Sequence, residues 1–276
     1  MIRLPKFVRK ILKLPLTLPL RFGFIRRRVA FEIKHSWFRD LQLSIPLTDN
    51  FSCPVPELDA LYSFSEIFVA DEYGSFLRDV SPPRRWIDLG CHLGYFTLYL
   101  AWQHAVAHPG EAWAALLVDA DPRALSLAEA TLQSNGLAGR CRLLHGAISR
   151  ENAPLEFALR PGMSSSTDLE MVGVQSVIRV PPLSPAQILA ALPPPYDLVK
   201  IDIEGAEYDF LEAYAEVWTR ATTILIEWHS SDEAAAERVR ASLEQASFHF
   251  LRTLRPNRSV EVEGRAFYSG VQLYRR

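Results

Sequence analysis

Short apolar strands alternate with helices from residue 84 onward, and this alternation restricts the fold more than any other feature of the sequence. Five strands are predicted, at 84–90, 112–120, 141–149, 198–204 and 222–229. Helices are predicted between and after them, at 95–105, 122–136, 206–218 and 232–246. Two final strands are predicted at 248–254 and 270–274. The pattern predicts a Rossmann-like α/β fold with a mostly parallel seven-stranded sheet and helices on both faces.

The alternation is interrupted at 150–196, where we expect an inserted hairpin and a loop that overhangs the sheet edge. Residues 1–80 also differ from the α/β part. A helix is predicted over 61–80, and Ser81-Pro82-Pro83 ends it. We therefore predict an N-terminal extension at 1–80 and one α/β domain at 81–276.

The extension begins with a basic segment. Nine Lys or Arg and no acid fall within residues 1–31, although the whole chain has a net charge of only −2. Residues 1–29 mix these charges with Leu, Ile and Phe. Such a segment can lie on an anionic membrane surface, and the alternative is a solvated tail that packs loosely on the domain.

The composition favours an intracellular protein. Three cysteines without metal or disulfide spacing are typical of a reducing compartment. No apolar run reaches the roughly 18 residues of a transmembrane helix, and no cleavage site for a signal peptide follows the basic segment. We expect a cytoplasmic protein, peripheral at the inner membrane face if residues 1–29 bind lipid, with no nucleic-acid partner.

A Gly-rich turn follows the first strand, in the run Asp88-Leu-Gly-Cys-His-Leu-Gly-Tyr-Phe-Thr97. Ligands of open α/β sheets bind at the carboxyl ends of the strands, near the point where the strand order reverses. Gly90 and Gly94 let a ligand approach the backbone, and the next helix offers free N–H groups to a carboxylate. The spacing is not the Gly-x-Gly-x-x-Gly of dinucleotide binders. With Asp88 as an acceptor for an ammonium group, it favours S-adenosylmethionine over NAD.

Acidic residues end the next strands. Asp119 ends the second strand, where a carboxylate can accept hydrogen bonds from both ribose hydroxyls. Asp121-Pro122 follows it and predicts a helix N-cap. The fourth strand ends in Lys200-Ile-Asp-Ile-Glu-Gly-Ala-Glu207 and the fifth in Glu227-Trp-His229. Carboxylates and a histidine at one sheet edge suit proton transfer near neutral pH.

These runs resemble the FkbM family of methyltransferases. The resemblance covers about residues 84–230 and is carried, in order, by DLGCHLGYFTLYLA, LVDADPRALSLAEATLQSNGL, LLHGAISRENAPLEF, DLVKIDIEGAEYDFLEAY and ILIEWH. It implies a class I methyltransferase fold and S-adenosylmethionine-dependent O-methylation, commonly of a hydroxyl on a sugar, glycolipid or natural product. The chain departs from the family at His92 in the turn, at Asp119 in place of Glu, and at Ser184 in place of Asp.

The predicted residues form a donor site and a catalytic group. The donor site comprises Asp88, Gly90, His92, Gly94, Thr97, Asp119 and Ala147. The predicted catalytic residues are Asp202, His229 and Glu204. Asp202 or His229 is expected to be the base, and Glu204 and Glu227 are expected to shape the acceptor pocket. Their spacing matches no standard metal motif, so no metal is predicted, although a divalent cation on these four side chains is an alternative.

Two other functions remain as alternatives at this point. A methyltransferase fold can serve as a non-catalytic scaffold or membrane adaptor, and a Gly-rich turn can bind NAD. The intact residues Asp88, Gly90, Gly94, Asp119 and Asp202 argue against a scaffold. The turn spacing argues against NAD.

The membrane hypothesis for residues 1–29 has a direct test. The full chain and a chain that begins at residue 30 are sedimented with liposomes that contain anionic lipid. We expect the full chain to sediment more, and increasingly so as salt is lowered, because Lys and Arg attract the anionic surface. Equal sedimentation of both chains would remove the hypothesis.

Overall fold

A computed structural model describes residues 43–56, 58–160, 174–232, 234–262 and 265–276, together with Ser36 and Ser165. The basic segment 1–29 and most of the loop at 161–173 lie outside the described residues. Within the described part, no helix is both long and apolar enough to cross a bilayer.

The strands are numbered in chain order. They are β1 Leu43–Pro46, β2 Ser52–Val55, β3 Arg85–Leu89, β4 Ala114–Asp119, β5 Cys141–His145, β6 Leu155–Leu159, β7 Ser176–Val180, β8 Tyr196–Ile201, β9 Ala221–Ser230, β10 His249–Val262 and β11 Arg265–Arg275. The α-helices are α1 Leu58–Phe64, α2 Phe76–Asp79, α3 Tyr95–Ala107, α4 Pro122–Ser134, α5 Pro185–Ala191, α6 Glu207–Ala213, α7 Ala215–Trp218 and α8 Ala235–Gln245. A π-helical turn, Ser65–Val69, continues α1, and a 3₁₀ turn, Ala138–Arg140, precedes β5.

Seven strands form the central sheet in the order β10-β11-β9-β8-β3-β4-β5. Strand β11 runs antiparallel to β10 and to β9. The other neighbouring strands of this sheet run parallel to each other. The chain winds outward from β3 in both directions, first through β4 and β5 and then through β8 and β9. This is the class I methyltransferase fold, and the predicted mostly parallel seven-stranded sheet is confirmed.

Both faces of the sheet are buried, and the apolar side chains of each central strand pack alternately against one face and the other. In β3, Trp86 packs into the core on the side of α3 and α4, while Ile87 and Leu89 pack into the core on the side of α5 to α8. Neighbouring residues of a strand point to opposite faces, so a strand covered on both sides needs apolar residues at successive positions. Asp121 caps α4 by accepting from the backbone N–H of Arg123, as its position before a proline predicts.

Several predicted elements differ from those observed. The helix expected over 61–80 ends at Phe64 and passes into the π-helical turn; only the short α2 follows. The helix expected over 206–218 is interrupted at Tyr214. The final strands are much longer than predicted, and α5 was not predicted. Ser184 caps α5 in a capping box with Gln187, so the serine that departs from the family has a structural role here.

The described part of the extension packs on the sheet. Ile45, Leu61, Phe68 and Phe76 belong to the same buried cluster as Trp86 of β3 and the apolar residues of α3. The β6–β7 hairpin forms a separate antiparallel pair, which agrees with the insertion expected at 150–196. The domain boundary placed at residue 81 stays a prediction, and residues 43–80 share a core with the residues that follow it.

Gly90 is required by the fold, and a matched pair of variants tests this. Gly90 and Gly136 have nearly the same left-handed backbone, with φ of 69° and 68°. A Cβ at Gly90 would overlap the carbonyl oxygen of Asp202, whereas a Cβ at Gly136 would meet no atom within 4 Å. We expect Gly136→Ala to lower the free energy of unfolding by about 1–2 kcal/mol from backbone strain alone.

Gly90→Ala carries the same strain and must also move β8 away from β3. We expect it to lower the free energy of unfolding by about 3 kcal/mol or more, as measured by urea denaturation. Equal effects of the two substitutions would show that the contact with Asp202 is unimportant.

Candidate active site

A cavity opens at the carboxyl ends of the parallel strands, at the point where the strand order reverses around β3. Residues that follow β3, β4 and β5 line one part of it, which we call the β4 end. Residues at the end of β8 and after it line the other part, the β9 end, together with Glu227 of β9, Arg255 of β10 and five residues between 63 and 73. Open α/β sheets bind their ligands at this edge.

The turn between β3 and α3 has left-handed backbone at Gly90, His92 and Gly94. His92 adopts φ of 46°, so the substitution of the family's residue leaves the turn intact. A Cβ at Gly94 would lie 3.4 Å from the Cβ of Ala128, which shows that this glycine lets α3 and α4 pack closely. The protein itself therefore occupies the space beside both glycines, and of the two only Gly90 lines the cavity.

Asp119 presents an oriented carboxylate at the β4 end. Its Oδ2 accepts from the backbone N–H of His92 at 2.8 Å, and its Oδ1 accepts from that of Asp121 at 2.9 Å. Burial raises the pKa of Asp119 to about 6, although both hydrogen bonds oppose the rise. The group is ionised at neutral pH, and each oxygen keeps a lone pair for a hydroxyl donor.

Apolar side chains line the cavity beside Asp119. They come from the end of β4, from the residues after β5 and from the inserted hairpin: Val118, Ala147, Ile148 and Phe157. An apolar slot next to an oriented carboxylate suits a nucleoside, because the base packs against the slot while its sugar hydroxyls bind the acid.

Lys200 is buried beneath the turn and joins β8 to β3. Its Nζ lies 3.0 Å from Oδ2 of Asp202 and 3.4 Å from Oδ1 of Asp88, and it donates to the carbonyl of Gly90 at 3.3 Å. Burial alone would lower the pKa of Lys200, but the two carboxylates outweigh burial and raise it above its usual value. The other oxygen of Asp88 accepts from the Thr97 hydroxyl at 2.9 Å.

His229 is surrounded by acids. Its Nδ1 lies 3.1 Å from Oε1 of Glu207, and its Nε2 lies 3.4 Å from Oε1 of Glu227 and 3.9 Å from Oε2 of Glu204. Burial lowers the pKa of His229, but the hydrogen bond to Glu207 and the charges of Glu204 and Asp202 outweigh burial and raise the pKa to about 10. His229 is thus an imidazolium at neutral pH, and this state is unsuited to the role of base expected for it.

Asp202, the other expected base, is also poorly suited to that role. Burial acts to raise the pKa of Asp202, but the charges of Lys200 and His229 outweigh it and lower the pKa below its usual value. A carboxylate with a low pKa accepts a proton weakly. The ion pair with Lys200 instead gives Asp202 an electrostatic and structural role.

Glu204 is better suited to act as a base than His229 or Asp202. It lines the cavity, with its side chain 39% exposed, and follows β8 in a left-handed conformation with φ of 51°. Burial, together with the charges of Asp202 and Glu207, raises the pKa of Glu204 to about 7, although His229 and Lys200 oppose the rise. A carboxylate that titrates near neutral pH and faces a cavity can act as a general base.

Arg255 joins three separate parts of the chain at the β9 end. Its guanidinium contacts the Glu227 carboxylate of β9 and lies 3.7 Å from Oε1 of Glu72. Burial raises the pKa of Glu72, with Arg255 opposing the rise. The sequence analysis missed Glu72 and Arg255, because no local pattern pairs residues so far apart in the chain.

The cavity brings together many of the predicted site residues, but not all of them. Those that line it are Gly90, His92, Asp119, Ala147, Asp202 and Glu204. Those that do not line it are Asp88, Gly94, Thr97 and His229. Asp88 and Thr97 are fully buried, and they act on the cavity through Lys200.

Asp202, Glu227 and His229 each offer a ligand atom within 4.8 Å of the others, a spacing that a divalent cation could use. Two of the three are already paired with cations, since Lys200 binds Asp202 and Arg255 binds Glu227. We therefore assign these acids to ion pairs and assign no metal to the cluster.

Residues 88–251 match the family described as the methyltransferase FkbM domain. The chain belongs to this family. The match includes the Gly-rich turn, Asp119, the acids that follow β8 and Glu227 of β9, whereas Glu72 and Arg255 lie outside it. Its family and fold are those of the S-adenosylmethionine-dependent methyltransferases. No curated protein matches the chain.

Solved structures resemble this FkbM-family chain more distantly. One is a putative RNA methyltransferase from Pyrococcus horikoshii, with 12% identity, 79% of this chain and 82% of that chain covered, and a TM-score of 0.43. Another is precorrin-6y C5,15-methyltransferase from Geobacter metallireducens, with 14% identity, coverage of 75% and 87%, and a TM-score of 0.42. Cofactor-bound Rv0187 from MTB has 14% identity, coverage of 100% and 98%, and a TM-score of 0.41.

The β4 end can be tested by titration. S-adenosylmethionine and NAD are titrated separately into the chain and into Asp119→Ala. We expect micromolar binding of S-adenosylmethionine to fall at least about tenfold in the variant, because the oriented acceptor for the ribose hydroxyls is lost. NAD is expected not to bind.

The matched control is Asp209→Ala, which removes a 40% exposed carboxylate outside the cavity. Its affinity for S-adenosylmethionine should equal that of the unaltered chain. Unchanged affinity in Asp119→Ala would refute the assignment of this residue.

Proposed function

We propose that this chain is an O-methyltransferase that uses S-adenosylmethionine to methylate a hydroxyl of a sugar, glycolipid or natural product. The observation that carries the proposal is the position of Glu204, a carboxylate that lines the cavity 3.9 Å from His229 and whose pKa is raised by burial and by the neighbouring acids. A hydroxyl is a poor nucleophile while it holds its proton, so its methylation benefits from such a base.

The donor fits the β4 end by its chemistry. When bound, S-adenosylmethionine supplies a methyl group on a positively charged sulfur, from which a nucleophile can take it. Asp119 would hold the ribose hydroxyls, and the apolar slot that includes Ala147 and Phe157 would hold the adenine. The turn residues Gly90 and His92 would lie against the amino acid part of the donor.

The acceptor would lie at the β9 end, with its hydroxyl directed at Glu204. Glu204 would take the proton of that hydroxyl, and the oxygen would then accept the methyl group that the donor supplies. Alignment of the two reactants in one cavity supplies much of the acceleration. His229 stays protonated and lies 3.9 Å from Glu204, so its charge keeps the pKa of the base from rising further.

The alternative is a non-catalytic scaffold with the same fold. A scaffold has no need for a carboxylate that titrates near neutral pH and faces the cavity, and Glu204 therefore favours the enzyme. Three parts of the proposal rest on the sequence alone: cytoplasmic location, membrane contact through residues 1–29, and an acceptor other than nucleic acid.

The role of Glu204 predicts a pH dependence. The base acts only when ionised, so kcat/KM should rise as pH increases through about 7 and then level off. Glu204→Gln should lower kcat by about 10²–10⁴-fold and remove this rise, because glutamine cannot accept the proton. The measurement is release of S-adenosylhomocysteine from pH 5 to 9 with an acceptor found by screening sugars and glycolipids.

Two controls accompany this experiment. Glu212→Gln makes the same change at an exposed helical position outside the cavity and should leave the profile unaltered. Binding of S-adenosylmethionine to Glu204→Gln should also persist, which shows that the variant folds. A Glu204→Gln profile that still rises through pH 7 would assign the base to another group.

A further inference from the structure

We propose that the β9 end selects acceptors that carry no negative charge, and that Glu66 is the residue that sets this selectivity. The acceptor class is a polyhydroxylated ring that is neutral or bears an amine, as opposed to a uronic acid or a sugar phosphate. The inference rests on the proposed function and narrows its substrate.

Glu66 lies in the π-helical turn Ser65–Val69 and lines the cavity. It stands outside residues 88–251, so the part of the chain matched by the family does not include it. Its side chain is half-buried, and its neighbours Ile67 and Phe68 are anchored in the apolar core. The turn therefore holds Glu66 in place at the cavity wall.

The Glu66 carboxylate makes no hydrogen bond or ion pair with any residue that the structure describes. The carboxylates around it are engaged: Glu227 and Glu72 with Arg255, and Asp202 with Lys200. Glu66 also raises the pKa of Glu72 by repulsion, so the two acids lie near one another. A half-buried carboxylate without a protein donor is suited to accept from a ligand.

The balance of charge at the β9 end is negative. Five carboxylates line the cavity there with two lining cations, and the His229 imidazolium pairs with two of the five, Glu204 and Glu227, from outside the lining. Both cations, Lys200 and Arg255, are already bound by carboxylates. A phosphate or carboxylate on the acceptor would thus meet repulsion from the acids with no uncommitted lysine or arginine among the described residues that line this end.

Hydrogen-bonding capacity leads to the same conclusion. An ionised carboxylate only accepts hydrogen bonds, and hydroxyl and ammonium groups donate them. A neutral or amine-bearing sugar therefore supplies what Glu66 lacks, whereas an anionic group only adds further acceptors. Specificity then arises from attraction of the right acceptor and from repulsion of the wrong one.

The test compares four probes that share one ring: a methyl hexopyranoside, its 2-amino analogue, its uronic acid and its 6-phosphate. Their binding to the complex with S-adenosylhomocysteine is measured by saturation-transfer NMR, and their methylation by release of S-adenosylhomocysteine. We expect the neutral and amino probes to bind and react at least about tenfold better than the two anions.

Substitutions at Glu66 connect the selectivity to this residue. Glu66→Gln should narrow the difference between neutral and anionic probes about tenfold, and Glu66→Lys should reverse the preference. The matched control is Glu151→Lys, the same charge change at an exposed loop position outside the cavity, and it should alter nothing.

Each possible result of these experiments either supports the proposed selectivity or contradicts it. Equal or better binding of the anionic probes, no binding of the neutral and amino probes, or an unchanged preference in Glu66→Lys would overturn it. The proposed function fails in a different way: S-adenosylmethionine binds, the neutral and amino probes bind with the predicted selectivity, and no methyl group is transferred. Binding thus tests selectivity, and turnover tests the reaction.

Discussion

The buried ammonium group of Lys200 connects the two strands between which the cavity opens. It binds Asp88 of β3 and Asp202 after β8, and it also binds the carbonyl of Gly90 in the turn between β3 and α3. Buried charges are tolerated only when they are paired and hydrogen-bonded, so these groups must lie where they do. Thr97 completes the arrangement by donating to Asp88. The position of the turn, and with it the shape of the cavity, depends on this set of contacts.

A second group of charges determines which carboxylate can act as a base. Glu207 is buried, accepts from the backbone N–H groups of Ile203 and Gly205, and orients His229 through Nδ1. The surrounding acids keep His229 protonated, and Lys200 keeps Asp202 ionised. Glu204 is left as the group with a pKa near 7 that also faces the cavity. The same residue types in one sequence motif thus take different roles because their neighbours differ.

The sequence predicted the central sheet well, because strands buried on both faces are continuous apolar runs between helices. The prediction of secondary structure was least accurate outside the central parallel strands. Segment 61–80 has helical spacing throughout, yet its middle packs on the sheet as a π-helical turn. The β10–β11 hairpin extends past its apolar residues into a polar stretch, which local patterns cannot assign to a strand. In the site, the acids after β4 and β8 were predicted to share one edge, and Asp119, Asp202 and Glu204 do so.

The sequence by itself determined the family, the order of the central strands and their helices, and the acids at the ends of β4, β8 and β9. These follow from local spacing and from the rule that parallel strands end at one edge of the sheet. Tertiary structure alone decided that Asp88 and Thr97 lie behind the cavity wall, that His229 is a cation, and that Glu66, Glu72 and Arg255 complete the β9 end. The physical reason is that burial and neighbouring charges set a pKa and a contact, and both arise from residues distant in the chain.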